Sequence, residues 1–319
     1  MKKCIFMTLA TLLVLSFTCD HGFAWGPATH TYIMRKLDRG FGIANSQKLY
    51  GAIAPDIFSY IYRVPNRRYL EEQMHYEFMG VWDEAEGKNE KAFALGFISH
   101  NDVWGADYVA RHVPDYESMK AQQLIDRILK ENPSHYSADV KGVLNALLAL
   151  GYGHAEELCR IAVEYSVDLL IKRYNDPEIG ARIALSSTLR DSSIPSLLAG
   201  VYGRDEDEKK VIIQGEAAFQ KIMASYGKDL LQDEKSAIKA VAGHIAAIAP
   251  QALCIELPEK EKLVKIGVEL INGGMAVCKS DYHQLVLASV KAIKEKISLG
   301  NFESNLDDPG NLESMEPAE

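Results

Sequence analysis

Apolar residues recur at every third or fourth position through most of the chain, which is the period of an amphipathic α-helix. Strand-like alternation of apolar and polar residues is scarce, and capping patterns such as Ser280-Asp precede several of the periodic segments. We therefore expect an all-α protein built as one multi-helix domain. The predicted helices are Pro27 to Leu37, Ala92 to His100, Tyr116 to Leu129, Asp139 to Leu150, Glu156 to Arg173, Pro177 to Ile194, Glu206 to Leu231, Glu234 to Ile248, Pro258 to Ile271 and Ser280 to Ile297.

The N-terminal segment has a different pattern. Two lysines precede an apolar run of 13 residues, Ile5 to Phe17, which is shorter than the roughly 20 residues that span a bilayer. Gly22 and Ala24 supply small residues at positions −3 and −1 of a cleavage site. This arrangement predicts a secretory signal peptide over residues 1–24, cut after Ala24, and a secreted or periplasmic protein.

The remainder of the chain divides by composition into three parts. Residues 25–175 hold most of the candidate polar chemistry, and residues 176–300 carry ordinary helical core patterns. Residues 301–319 are acidic and contain Asp-Pro-Gly, which predicts a disordered tail. No segment after the signal peptide has the length and apolarity of a transmembrane helix.

Charge and cysteine content narrow the function classes. A formal charge of −9 argues against a broad basic surface, so we expect no stable nucleic-acid complex and a monomeric protein. Three cysteines remain after signal cleavage, at positions 159, 254 and 278. An odd number allows one disulfide at most and leaves at least one thiol unpaired.

Histidines and acids collect in the first half of the chain. Seven of the nine histidines precede residue 155, and Asp56, Asp102 and Asp107 lie within apolar stretches. Burying an unpaired charge is unfavourable, and metal coordination satisfies such groups. Imidazole and carboxylate ligands suit zinc. Each residue alone is equally well explained as a helix cap or surface residue, but together they indicate a metal site.

A helical projection adds an acidic stripe. At 100° per residue, Glu157, Glu164 and Asp168 fall within about 40° of one another, flanked by isoleucines. A solvated helix face is normally broader and rich in lysine. The stripe therefore predicts acids directed into a cavity, although a narrow surface stripe beside a packed core would have the same spacing.

Four motifs, taken in order, resemble a known family. They are Trp25-Gly-Pro-Ala-Thr-His30, "GAIAPDIF" around Asp56, "EEQMHYEF" around His75, and "AFALGFISHNDVWGADYVARH" from Ala92. The chain resembles the zinc-dependent phospholipase C superfamily, which includes single-strand nucleases and the N-terminal domain of glycosylphosphatidylinositol-specific phospholipase D. The resemblance implies that family's all-α fold, with additional C-terminal helices.

The resemblance also implies two or three zinc ions. Trp25 would bind one zinc through its free amine and its own carbonyl oxygen, together with His30. An α-amino group has a pKa near 7.7–8.0, so zinc displaces its proton readily. Asp56, His75 and His100 would bind a second zinc.

The ligand that bridges these two zinc ions stays open between two aspartates. The family places an aspartate four residues after the histidine, where this chain has Trp104. Asp102 has the matching local context, and Asp107 lies on the same helix face about 10 Å further along the axis. A kink at Gly105 would bring Asp107 back toward His100.

The ligands of the remaining zinc also stay open. His112 would bind it, with a further histidine and an acid. His135 and Asp139 have the family's spacing, whereas Glu164 and Asp168 have the better apolar setting but need His154 as their partner. Glu164 and Asp168 are the favoured pair.

These observations predict a secreted zinc-dependent phosphodiesterase that hydrolyses phospholipid head-group diesters, with peripheral membrane contact. By similarity to the family, Asp56 would orient the attacking water or act as base. Two alternatives remain: a single-strand nuclease of the same chemistry, and a non-catalytic, zinc-stabilised helical binding protein.

Overall fold

The structure is a computed structural model that describes residues 25–37, 42–112 and 115–302. These residues form sixteen α-helices and no strand, which confirms the all-α prediction. The first eight helices are α1 (Pro27–Leu37), α2 (Gly42–Gly51), α3 (Ile57–Tyr60), α4 (Arg67–Tyr76), α5 (Met79–Glu84), α6 (Gly87–His100), α7 (Ala106–His112) and α8 (Tyr116–Asp126). The others are α9 (Ala138–Leu150), α10 (Tyr152–Tyr174), α11 (Ile179–Thr188), α12 (Ile194–Tyr202), α13 (Glu206–Leu230), α14 (Glu234–Ala252), α15 (Lys260–Cys278) and α16 (Tyr282–Leu299).

Helix α10 is the centre of the core. Every residue from Ile161 to Ile171 is buried, so this stretch is enclosed on all sides. It packs against α1, α8, α9 and α15. Ser166 joins it to α15 by donating to the carbonyl oxygen of Ile271 over 3.0 Å. Polar side chains on α10 must therefore find partners inside the protein.

One such side chain, Asp168, fixes the start of α1. Its carboxylate accepts hydrogen bonds from the backbone N–H groups of Ala28 at 2.9 Å and Thr29 at 2.8 Å. It also accepts from the Thr29 hydroxyl at 2.7 Å and from Tyr226 at 2.7 Å. The first N–H groups of a helix lack the usual partner within the helix, so Asp168 supplies the acceptor for Ala28 and a second acceptor for Thr29, whose N–H also bonds to the carbonyl oxygen of Gly26 at 3.0 Å. The same bonds attach α1 to the centre of the core.

Helices α2 and α6 pack so closely that their backbones are in contact. A Cβ atom on Gly51 would lie 2.1 Å from the carbonyl oxygen of Phe93, and one on Gly96 would lie 2.0 Å from that of Lys48. Only glycine permits this contact at either position. The approach brings the loop after Gly51 against the C-terminal end of α6, where His100 lies.

The long predicted helices exist, but one of them was predicted too long. The predicted helix Pro177 to Ile194 ends at Thr188 as α11, and after a turn the unpredicted helix α12 begins at Ile194. The Asp191 side chain accepts hydrogen bonds from the backbone N–H of Ser193 at 3.0 Å and from Asn89 at 2.7 Å. Gln47 also bonds to the turn, donating to the carbonyl oxygen of Leu189 at 2.8 Å. These bonds stabilise the turn over a continuous helix.

Several sequence predictions fall at the edges of the described residues. The predicted signal peptide lies outside them, and so do the residues after Phe302. Phe302 itself packs its ring on Trp82 with a centroid distance of 4.9 Å. No disulfide joins Cys159, Cys254 and Cys278 to one another within the described residues. None of the described helices has both the length and the apolarity needed to cross a membrane.

Replacing Asp168 by alanine should lower the free energy of unfolding by about 3 kcal/mol, because two backbone N–H groups and two hydroxyls lose their acceptor. Asp233 is the matched control, since it is an exposed N-cap that accepts from the backbone N–H of Ser236 at 3.1 Å. Asp233→Ala should have an effect of about 1 kcal/mol. Urea unfolding measures both variants, and equal effects would contradict the role of Asp168.

Candidate metal centre

A tight turn after α6 lies beside the candidate metal centre, which consists of His30, Asp56, His75, His100 and Asp107. The Asn101 side-chain oxygen accepts hydrogen bonds from the backbone N–H groups of Val103 at 2.8 Å, Trp104 at 2.8 Å and Gly105 at 3.2 Å. A Cβ atom on Gly105 would lie 2.5 Å from the carbonyl oxygen of His100, so the turn requires glycine there. The chain reverses within five residues, and α7 begins beside the end of α6 instead of continuing its axis.

Five side chains from separate segments converge beside this turn. They are His30 of α1, Asp56 of the 3₁₀ turn Ala54–Asp56, His75 of α4, His100 of α6 and Asp107 of α7. None is more than 5% exposed. The distances from histidine Nε2 to carboxylate oxygen are 3.1 Å for His30–Asp107, 3.2 Å for His100–Asp107, 3.5 Å for His75–Asp56, 3.6 Å for His100–Asp56 and 3.8 Å for His75–Asp107.

Backbone carbonyls fix the orientation of two of the rings. Nδ1 of His75 donates to the carbonyl oxygen of Glu71 at 2.8 Å, and Nδ1 of His100 donates to that of Ala52 at 2.8 Å. A carbonyl oxygen only accepts, so each Nδ1 carries the hydrogen and each Nε2 faces the centre. Metal-binding histidines are commonly held by such outer hydrogen bonds.

The spacing of the ligand atoms fits a shared metal better than hydrogen bonding. Nε2 of His30, Nε2 of His100 and Oδ1 of Asp107 are buried without a hydrogen-bond partner. Three of the Nε2–oxygen distances exceed the usual 2.7–3.2 Å of a hydrogen bond. Two donor atoms on one tetrahedral zinc lie about 3.4 Å apart, given bond lengths of roughly 2.0–2.2 Å. The donor set of imidazole and carboxylate also suits zinc.

The atoms form two overlapping ligand groups. One contains His30, Asp56 and His100, and the other contains His75, His100 and Asp107, with the ligand atoms of each group within 4.8 Å of one another. The rings of His30 and His100 stack with centroids 3.8 Å apart. His100 belongs to both groups, so the centre depends on it more than on any other single ligand.

Mutual electrostatics sets the protonation of these side chains. Burial opposes the charged form of His100, but Asp107 and Asp56 outweigh it and raise the pKa of His100 well above its usual value. Burial also opposes ionisation of the carboxyls, yet His100 lowers the pKa of Asp56 to about 2 and that of Asp107 well below its usual range. Burial and His100 lower the pKa of His30. Both aspartates are therefore ionised and His30 is neutral at pH 7, the forms in which these groups bind metal, whereas His100 carries a proton that a metal would have to displace.

The structure places Asp107, not Asp102, beside His100. The Asn101 turn supplies the kink at Gly105 that the sequence left open. The Asp102 carboxylate instead lies 2.8 Å from a guanidinium nitrogen of Arg111, and its backbone N–H donates to the carbonyl oxygen of His75 at 3.2 Å. Asp102 thus supports the centre from outside, and its assignment as a ligand is replaced by a role in an ion pair.

The residues predicted for the remaining zinc do not converge. His112 is exposed and stacks on Tyr108 with centroids 4.4 Å apart. Asp168 is occupied by the start of α1, as described above. Glu164 is buried, but its pKa is raised by burial and by the charge of Glu117, and no third ligand group forms among the described residues. The assignments of His112, Glu164 and Asp168 as ligands are therefore not supported.

The other pair considered for that zinc also lies apart from the centre. His135 and Asp139 are exposed, and Asp139 forms an ion pair with Lys262 at 2.9 Å. His135 ends the 3₁₀ turn Pro133–His135, and Asp139 lies in the first turn of α9, where Ser137 accepts from the backbone N–H of Val140 as N-cap. Their spacing is explained by an ordinary helix start.

Sequence reasoning missed a second set of buried charges beside the centre. Arg160 pairs with Glu117 at 3.1 Å and with Glu157 at 3.6 Å, and Arg111 reaches toward Asp107 at 3.9 Å. The spacing of four residues between Asp107 and Arg111 is the helical ion-pair spacing and was the available signal. The acidic stripe on α10 therefore faces arginines as well as the core.

Comparison with known proteins finds no matching family model, no matching curated protein and no matching solved structure. Function is therefore inferred from the geometry of the chain's own buried side chains.

Metal content should test the candidate ligands. We expect zinc bound by the wild-type protein to fall in His30→Gln and to fall most in His100→Gln, because His100 belongs to both possible ligand groups. His244→Gln is the matched control, since His244 pairs with Asp229 at 3.0 Å and lies in neither group. Elemental analysis of desalted protein measures the result. Equal zinc in wild type and His100→Gln would exclude this centre.

Proposed function

We propose that this chain is an exported, zinc-dependent phosphodiesterase of the phospholipase C type that acts on phospholipid head groups. The supporting observation is the cluster of buried imidazole and carboxylate ligands around His100, in which Nε2 of His30, Nε2 of His100 and Oδ1 of Asp107 lack a hydrogen-bond partner. Zinc sites built from such ligands are typical of enzymes that hydrolyse phosphate esters. The motif resemblance of Trp25 to Arg173 supports the same chemistry.

Zinc bound by these residues would polarise a phosphoryl group and supply a nucleophile from water near neutral pH. Asp107 lies between His30 and His100, at 3.1 Å and 3.2 Å, which suits a carboxylate bridging two ligand groups. Asp56 lies 3.5 Å from His75 and 3.6 Å from His100, where its carboxylate would orient the attacking water or act as base.

Exposed apolar side chains beside the centre favour a lipid substrate over a polynucleotide. Tyr76, next to His75, is 53% exposed, and Val103 is 48% exposed on the turn after His100. Tyr108, next to Asp107, is 37% exposed. Tyrosine is suited to a boundary between apolar and aqueous surroundings. Polynucleotide binding depends on many lysine and arginine contacts, which the overall charge of −9 does not favour.

Trp25 completes the proposal as a ligand through its main chain. Its side chain is 1% exposed and its ring lies 5.9 Å from that of Tyr116. The α1 helix begins directly after it, with the N–H of His30 donating to the carbonyl oxygen of Gly26 at 3.2 Å. A buried, anchored tryptophan holds its own amine in a fixed place once residues 1–24 are removed.

Purified mature protein should release product from phosphatidylcholine vesicles and from a chromogenic phosphodiester, and a chelator should abolish both activities. Asp56→Asn should reduce turnover at least about hundredfold because water orientation and metal binding are both lost. Asp229→Asn, outside the centre, is the control. Single-stranded nucleic acid serves as a third substrate: preference for it would favour the nuclease alternative. If the zinc-loaded protein hydrolyses none of the three substrates, the non-catalytic binding protein would be favoured.

A residue added before Trp25 should lower zinc occupancy by about one ion per chain, because the α-amino group becomes an amide and no longer binds metal. We expect this for protein made without the signal peptide but with an extra N-terminal methionine. Protein processed after Ala24, checked by N-terminal sequencing, is the comparison. Identical elemental analyses of the two preparations would exclude the amine as a ligand.

A further inference from the structure

Arg111 lies at the edge of the metal centre, between its buried ligands and solvent. It follows Asp107 by one turn of α7, and its NH2 atom lies 3.9 Å from Oδ2 of Asp107. Its side chain is 25% exposed, whereas that of Asp107 is 1% exposed. Arg111 therefore presents positive charge to a molecule that approaches the centre from this side.

Neighbouring carboxylates fix the position and charge of this side chain. NH1 of Arg111 lies 2.8 Å from Oδ2 of Asp102, whose backbone N–H is bonded to His75. Burial opposes the charge, but Asp102, Asp107 and Glu117 outweigh it and raise the pKa of Arg111 above its usual value. The guanidinium is thus permanently charged and is held by the same segments that carry two of the ligands.

We infer that Arg111 binds the phosphoryl oxygens of a phosphate or phosphodiester group at the metal centre. This inference rests on the proposed function. A guanidinium is planar and has five N–H donors, a geometry that suits two oxygens of one phosphate. Asp102 approaches one of the five donors and orients the fork, and the side chain is 25% exposed. Charge-assisted hydrogen bonds of this kind are about twice as strong as neutral ones.

A purely structural ion pair is the competing explanation, and the chain offers a matched comparison. Arg160 is 19% exposed and pairs with Glu117 and Glu157 in the adjoining network. It has the charge and burial of Arg111, but its ion pairs involve no residue of the two ligand groups. If positive charge in general or the stability of the network determines phosphate affinity, replacing either arginine should lower it. If Arg111 contacts the phosphate, only its replacement should lower the affinity.

The test is calorimetric titration of zinc-loaded, desalted protein with inorganic phosphate, and separately with dimethyl phosphate as a diester. Arg111→Gln should weaken binding by about tenfold to a hundredfold, the loss expected for hydrogen bonds to a charged group. Arg160→Gln should change it by about threefold or less. Arg111→Lys should restore part of the affinity, because lysine keeps the charge without the fork. Zinc content is measured in every variant.

The double variant Arg111→Gln with Asp102→Asn guards against misfolding, because it removes both members of the ion pair and leaves no buried unpaired charge. Zinc-loaded double variant that binds phosphate as weakly as Arg111→Gln supports the inference. If Arg111→Gln or the double variant retains zinc and binds phosphate with wild-type affinity, the inference is overturned. An equal loss of phosphate affinity in Arg160→Gln also overturns it. Absence of zinc from the wild type refutes the proposed function and this inference with it, whereas retained zinc with unchanged phosphate binding in Arg111→Gln refutes the inference alone.

Discussion

Three imidazoles and two carboxylates lie together where water does not reach them, and much of the surrounding structure depends on that arrangement. His30, His75 and His100 present nitrogen atoms to Asp56 and Asp107 at distances too long for good hydrogen bonds in most cases. Without a cation, the protein must hold a proton on His100 and leave other atoms unpaired. A divalent ion satisfies all these atoms together, which is the physical reason for reading the cluster as a metal centre.

The positions of the ligands are set by contacts between backbones. Glycines at positions 51 and 96 allow α2 and α6 to touch, which brings the carbonyl oxygen of Ala52 to the outer nitrogen of His100. Asn101 reverses the chain directly after that histidine. These restraints act on main chain and on rigid rings, so the ligand atoms are arranged before any metal arrives. Such preorganisation is what a catalytic site requires of its scaffold.

Sequence periodicity predicted the long helices because their apolar faces repeat over many turns. It missed the short helices α2, α4 and α5, whose apolar positions are too few to define a period. The break between α11 and α12 depends on Asp191 accepting hydrogen bonds from a residue about a hundred positions earlier, Asn89. Such a long-range bond leaves no local signal.

For the site, the motifs were sufficient to gather His30, Asp56, His75 and His100. They left Asp102 and Asp107 open because the choice depends on a side-chain cap at Asn101 and not on spacing. Asp168 was misassigned because an acid that satisfies a helix start has the same helical position as an acid that binds metal. Arg111 was missed although its spacing of four residues from Asp107 is that of a helical ion pair, because only the assembled geometry places that pair beside the ligands.

The attachment of α1 to Asp168 joins the first helix to a residue far along the chain. The bonded residues are 140 positions apart, so this attachment forms only after α10 has been synthesised. A chain truncated before α10 would keep the contacts of α1 with α2 and α6 but would lack the carboxylate that receives its first N–H groups.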